Sequence, residues 1–300
     1  MVGRGSLCGG RQFGRGLPVL GERVSHPMSM LSQIQALTRI TNYQFFRGKV
    51  RLVLLLWVGL LPSLVKLLSR LLASNQGSHI PISPIDEYFE LFVGLFVGLI
   101  LPASALYAGI LVLSEELESR TLVHLWTRPV SRTLLWGTKS LVAFGWLSLF
   151  LVITLLATYV VCGLMENPQM LAKEAGIISW HVLAALLGAF PYFYLGMFLS
   201  LFTRKPLTYG GGFLFFVEFV VMIIPSSLKL LSPRFCVLIL SGCPQSLMTD
   251  GPLELIMKDA EVTDFSAASS LLIFGALMAT LSWFLFTQRE HALREGVEQQ

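Results

Sequence analysis

The sequence predicts an all-α integral membrane protein: six transmembrane helices, an N-terminal interfacial helix, and a short cytoplasmic helix between spans two and three. Three observations carry that expectation. Only 13% of the 300 residues are charged while 54% are hydrophobic, and the mean hydropathy is +0.69. Soluble domains carry about 25% charged residues. Uncharged runs such as Leu91–Ser114, Ser140–Met165 and Phe265–Gln288 exceed the roughly 20 residues that a bilayer core requires. The charges are gathered into the intervals between those runs, so the chain alternates greasy and polar blocks.

Residues 1–27 are rich in Gly and Arg (Arg4, Arg11, Arg15, Arg23) and contain no apolar core of a secretory signal. They are expected to form a disordered basic tail, or else the start is misplaced and the natural one is Met28 or Met30. A single six-span domain is expected over 28–289, followed by a cytoplasmic tail over 290–300. From Ser29 to Phe46, Leu31, Ile34, Leu37, Ile40 and Tyr43 recur at every third position, with Gln33, Gln35, Arg39 and Asn42 between them. That spacing predicts a helix lying in the membrane interface.

Arg47, Lys49 and Arg51 precede the first span, which starts near Leu52 and must continue to about Leu72 to cross. Lys66 and Arg70, four apart, share one face near its far end. There they snorkel to the interface or line a polar path between helices. The second span, Leu91–Ser114, carries Gly94, Gly98, Ala105 and Gly109, a spacing that lets helices approach closely. The third is Ser140–Met165. The fourth lies between Ile177 and Thr203, with Pro191 expected to kink it. The fifth runs from about Leu207 to Leu228 and holds one charge, Glu218. A loop from Lys229 to Asp264 is expected before the sixth span. Glu218 would line a transport path or carry a proton, or instead bond a neighbouring helix or sit near the interface beside Tyr209.

Six spans place both termini on one side. Sixteen of the 22 Lys and Arg residues fall on that side and six on the other. The positive-inside rule therefore puts both termini, and the interval between spans two and three, in the cytoplasm. Of the four cysteines, Cys8, Cys162, Cys236 and Cys243, none has zinc-ligand spacing, so no metal site is expected. Cys236 and Cys243 fall in the outer loop, where a disulfide is conceivable.

The interval "LSEELESRTLVHLWTRPVSRT", Leu113–Thr133, is far more polar than a simple reversal requires. Ser114 can cap a helix whose first turn carries Glu115, Glu116 and Glu118. Glu116 and Arg120 pair at i,i+4, and Leu122, Leu125 and Trp126 share a face. Pro129 stops the helix and Ser131 can cap the next. An exposed Leu/Leu/Trp face is either a partner surface or a helix resting on lipid.

This interval resembles the cytoplasmic loop of the ABC type-2 permease family, the membrane subunits of one class of ATP-binding-cassette exporters. Glu116, Glu118, Thr121, Leu122, Leu125, Arg128, Pro129, Ser131 and Arg132 match its pattern; Arg120 stands where relatives often have Gly. The resemblance implies a coupling helix over about 114–129 that docks in a groove of a cytoplasmic ABC ATPase subunit. Glu115, Glu116, Glu118, Arg120, Thr121, Leu122, Leu125, Trp126, Arg128, Pro129 and Arg132 would form the contact. It further implies a dimer with a second copy or a related chain, export of a substrate, and a place in the cytoplasmic (inner, plasma) membrane. No cofactor is expected on this chain, because ATP would be bound by the partner; no nucleic-acid partner is expected either.

Two rival classes are weighed on the same residues. Glu115–Arg120 fits EExxxR, the first motif of the CAAX-type intramembrane proteases, but no His has a Phe four residues before it, and neither His124 nor His181 has an Asn four after. Such a site would lack its bases. A stand-alone secondary transporter or channel would use Glu218, Lys66 and Arg70 and need no ATPase. The chain has no GxxxxGK[ST] phosphate loop, so any ATP chemistry of that kind belongs to another polypeptide.

Overall fold

Among the described residues, four stretches are long and apolar enough to cross a bilayer: Leu91–Ser114, Arg132–Cys162, Gly176–Phe202 and Asp264–Gln288. They coincide with the expected spans two, three, four and six. The computed structural model describes residues 30–47, 64, 88, 91–118, 131–166, 175–221, 227–242 and 263–298. The expected first span, with Lys66 and Arg70, and both possible starting methionines' upstream tail lie outside them.

In chain order the elements are α1 (Met30–Arg47); a π-helical segment, π1 (Leu91–Ile100), continuing into α2 (Leu101–Glu118); α3 (Arg132–Glu166); α4 (Ala175–Phe202); α5 (Pro206–Phe215), continuing into π2 (Phe216–Val221); a 3-10 turn (Ser227–Leu231); α6 (Pro233–Leu240); and α7 (Asp264–Glu298). No strand occurs among the described residues.

α4 is the centre of the bundle, packed by α2, α7, α6 and α3. Its sequence explains that position. It is apolar on all sides, as a fully surrounded helix should be, and it presents small residues (Ala184, Ala185, Ala189, Gly196) between large ones (Tyr192, Phe193, Met197). Within a bilayer the hydrophobic effect does not drive helices together, so close packing and interhelical hydrogen bonds must. A Cβ placed on Gly109 of α2 would fall on the Phe193 carbonyl, and one on Gly196 of α4 would fall on the Leu106 carbonyl. α4 passes through Pro191 without interruption.

α1 packs on α3, with Leu37 and Thr41 buried, while Leu31 of the expected apolar stripe is exposed. Asn42, expected on the polar face, accepts a 2.9 Å hydrogen bond from the Trp146 indole. Trp146 lies about 21 Å along α3 from Arg132 at 1.5 Å per residue, so α1 reaches well along that span.

Three expectations are corrected. Ser114 starts no new helix: α2 runs through it to Glu118, because Leu and Glu are strong helix formers and nothing there interrupts the backbone ladder. Leu207–Leu228 is not one regular helix, since α5 gives way to wider turns at Phe216 and a 3-10 turn holds Ser227–Leu231. The interval after Lys229 is not all loop: Pro233–Leu240 is a helix with Phe235, Cys236, Val237 and Leu238 buried. Its ends are punctuated. Ser232 caps the start with Pro233 at the first turn, and Gly242, at φ +62°, receives the chain past the end.

Candidate functional site

Two places concentrate polar side chains. The first is the end of the bundle where α2 finishes and α3 begins. Glu115, Glu116 and Glu118 occupy the last turns of α2. Arg120, Thr121, Leu122, Leu125, Trp126, Arg128 and Pro129 lie outside the described residues. Arg132 is the first residue of α3, and its Nη1 donates to the Thr287 carbonyl of α7 at 3.3 Å. Trp136 Nε1 donates to Ser282 Oγ at 3.3 Å, and Trp283 Nε1 to Thr133 Oγ1 at 3.4 Å. Three hydrogen bonds thus tie the start of α3, which follows the 119–130 interval in sequence, to α7. One turn further, Lys139 is buried with Thr138 and Ser140 beside it.

The second place is a buried node around Glu218. Glu218 sits in π2 at 2% exposure. Tyr192 of α4 donates its hydroxyl to Oε1, and Ser232 Oγ donates to Oε2 at 2.8 Å. The Arg234 side chain crosses to π1, where a Cβ on Gly98 would stand 3.1 Å from Nη2. Gly98, expected simply to pack helices, therefore leaves room for a guanidinium, while Gly94 faces open space. Tyr209, weighed as a neighbour of Glu218, is exposed at 61%.

Below the node, towards the start of α4, His181 is fully buried between Tyr88 and α6. Its Nε2 donates to the Ser241 carbonyl at 3.1 Å, since a carbonyl only accepts; in the neutral ring Nδ1 then accepts from Tyr88 Oη at 2.9 Å. Phe92 stacks on the same imidazole with centroids 4.3 Å apart.

The sequence pointed to Glu218 but not to its partners. Tyr192 and His181 stand in runs read as plain spans, and Ser232 and Arg234 in a stretch read as loop. The available signal was the Ser232–Pro233 start and Gly242 stop around an apolar octet. Among the described residues no group of His, Cys, Asp and Glu is arranged to hold a metal ion.

A bundle whose described residues are helical, with four stretches long and apolar enough to cross a bilayer, is that of a multi-pass membrane protein. The sequence model described as ABC-2 family transporter protein matches residues 47–221, more than half of the chain, and the chain belongs to that family. No curated protein matches it.

Proposed function

We propose that this chain is the permease subunit of an ATP-binding-cassette transporter, in which a separate cytoplasmic ATPase drives export of a substrate through a dimer of such subunits. Family membership supports the transport role. The single observation that favours coupling through the 119–130 interval is the way it is anchored. In sequence it joins α2, which packs on the central α4, to the start of α3, which is bonded to α7 through Arg132, Trp136 and Trp283. A push on it reaches four helices at once. Three glutamates close together at Glu115, Glu116 and Glu118 suit a cationic groove on a partner. ATP is bound by the partner, both termini face the cytoplasm, and Leu122, Leu125 and Trp126 provide the apolar part of the contact.

The test is co-purification in mild detergent. The wild-type chain should bring down an ATPase that carries a phosphate-binding loop, and Leu122→Asp or Glu116→Lys should lose it while leaving the permease folded. Retention of the ATPase by both variants would move the docking surface elsewhere. Solute movement by the purified chain alone would remove the ATPase from the account.

A further inference from the structure

Between Glu174 and Glu218 the only Asp, Glu, Lys or Arg residues are Arg204 and Lys205. They stand in the turn Thr203–Lys205, which joins the end of α4 to the start of α5. α4 keeps the composition of a span as far as Phe202, so both cations come directly after the apolar run. Three residues reach about 10 Å when fully extended. A turn that short cannot carry its charges away from the bilayer surface.

The corner is held at both ends. Thr203 donates to the Leu199 carbonyl of α4 twice, from its N–H at 2.9 Å and from Oγ1 at 3.1 Å. Tyr209 N–H donates to the Lys205 carbonyl at 3.3 Å. Pro206 opens α5 with a fixed φ, and no side chain caps that helix. Gly210 sets α5 against α2, since a Cβ there would meet Leu106. Leu207 and Tyr209 are left facing outward at 59% and 61% exposure, beside Phe202 at 67%. Arg204 and Lys205 are exposed among these three, and neither bonds another side chain among the described residues.

We propose that this corner binds an anionic phospholipid, with Arg204 and Lys205 on the headgroup phosphate and Phe202, Leu207 and Tyr209 along the upper acyl chain. Two cations with no acid beside them in the sequence select an anionic headgroup over a zwitterionic one, whose own cation already offsets the phosphate. The apolar flanks select a lipid over a free anion, and a tyrosine at such a level keeps its ring in the apolar region and its hydroxyl among headgroups. A soluble partner is the less suitable occupant, because the turn has no length with which to reach one. The lipid holds the central helix at a set depth where it leaves the bilayer. This is independent of which surface the ATPase uses.

The test is native mass spectrometry of the full chain, titrated in neutral detergent with phosphatidylglycerol or with phosphatidylcholine of the same acyl chains. The first phosphatidylglycerol should bind more tightly than the first phosphatidylcholine. Arg204→Gln with Lys205→Gln should weaken it about thirtyfold, the scale of two basic residues at an anionic surface, and leave phosphatidylcholine unchanged. Arg204→Lys with Lys205→Arg keeps both charges and should retain the tight binding. Arg39→Gln, at an exposed cation of α1, should have no effect. Equal binding of the two lipids by the wild-type chain, or undiminished phosphatidylglycerol binding by the double Gln variant, would overturn the proposal. So would displacement of the lipid by inorganic phosphate, which would make this a site for free anions. Loss of a co-purifying ATPase from the double Gln variant, with its lipid binding intact, would assign the corner to a protein instead.

Discussion

Gly109 and Gly196 each stand where a side chain would strike the backbone of the other's helix: the first against the Phe193 carbonyl, the second against that of Leu106. The contact is reciprocal, so α2 and α4 are locked at one level by two missing methyl groups. Alanine normally gains up to about 1 kcal/mol over glycine inside a helix. Here the obstacle is a carbonyl that cannot swing aside, and overpacking of that kind costs about 1–3 kcal/mol. Gly109→Ala and Gly196→Ala should each lower thermal stability in detergent, whereas Gly145→Ala, with nothing within 4 Å, should leave it equal or higher. Melting curves followed by tryptophan fluorescence distinguish the two behaviours, and a destabilised Gly145→Ala would contradict the reasoning.

The bond between Trp136 and Ser282 predicts energetic coupling between α3 and α7. Interhelical hydrogen bonds in membrane proteins average about 0.6 kcal/mol and reach about 1.7. In a double-mutant cycle, Trp136→Phe and Ser282→Ala should show an interaction energy in that range. Strict additivity would mean that the two helices are joined by other contacts alone.

His181 is held by donors and acceptors at both ring nitrogens. Tyr88→Phe withdraws the donor to Nδ1 from a fully buried site, and an acceptor left so costs about 1–3 kcal/mol. The variant should unfold at lower denaturant concentration than wild type. His181→Phe, which keeps the stacking with Phe92 but leaves the Tyr88 hydroxyl and the Ser241 carbonyl without this partner, should be at least as damaging.

The disulfide weighed between Cys236 and Cys243 finds Cys236 as a buried thiol; Cys243 lies outside the described residues. Burial pushes the Cys236 thiol up to about 11, which keeps it protonated and slow to oxidise at neutral pH. Peptide mass mapping of the unreduced protein should return Cys236 as a thiol, and a cross-linked peptide pair containing Cys236, two hydrogen atoms lighter than its two free-thiol members, would show that it is bridged.

The spans were legible because a bilayer imposes a composition over a length, and both can be read residue by residue. Leu91–Ser114 and Gly176–Phe202 needed no knowledge of their neighbours. Depth in the bundle was another matter. Nothing in the run 206–221 announces that its helix widens at Phe216, or that Glu218 within it meets Tyr192 and Ser232. Gly98 belonged to a spacing that fits helix packing anywhere, and its partner Arg234 is remote in sequence. α6 was lost among the acids that follow it, although Ser232, Pro233 and Gly242 marked its ends. Arg132 was grouped with the coupling residues, and in the structure it also bonds inward, to α7.

α7 does not stop where its apolar run ends at Gln288; it stays helical to Glu298. Those ten residues add about 15 Å of helix at 1.5 Å per residue, beyond the point where Arg132 meets Thr287. With the backbone ladder unbroken, the span and its extension form one rod, and a tilt of either is a tilt of both.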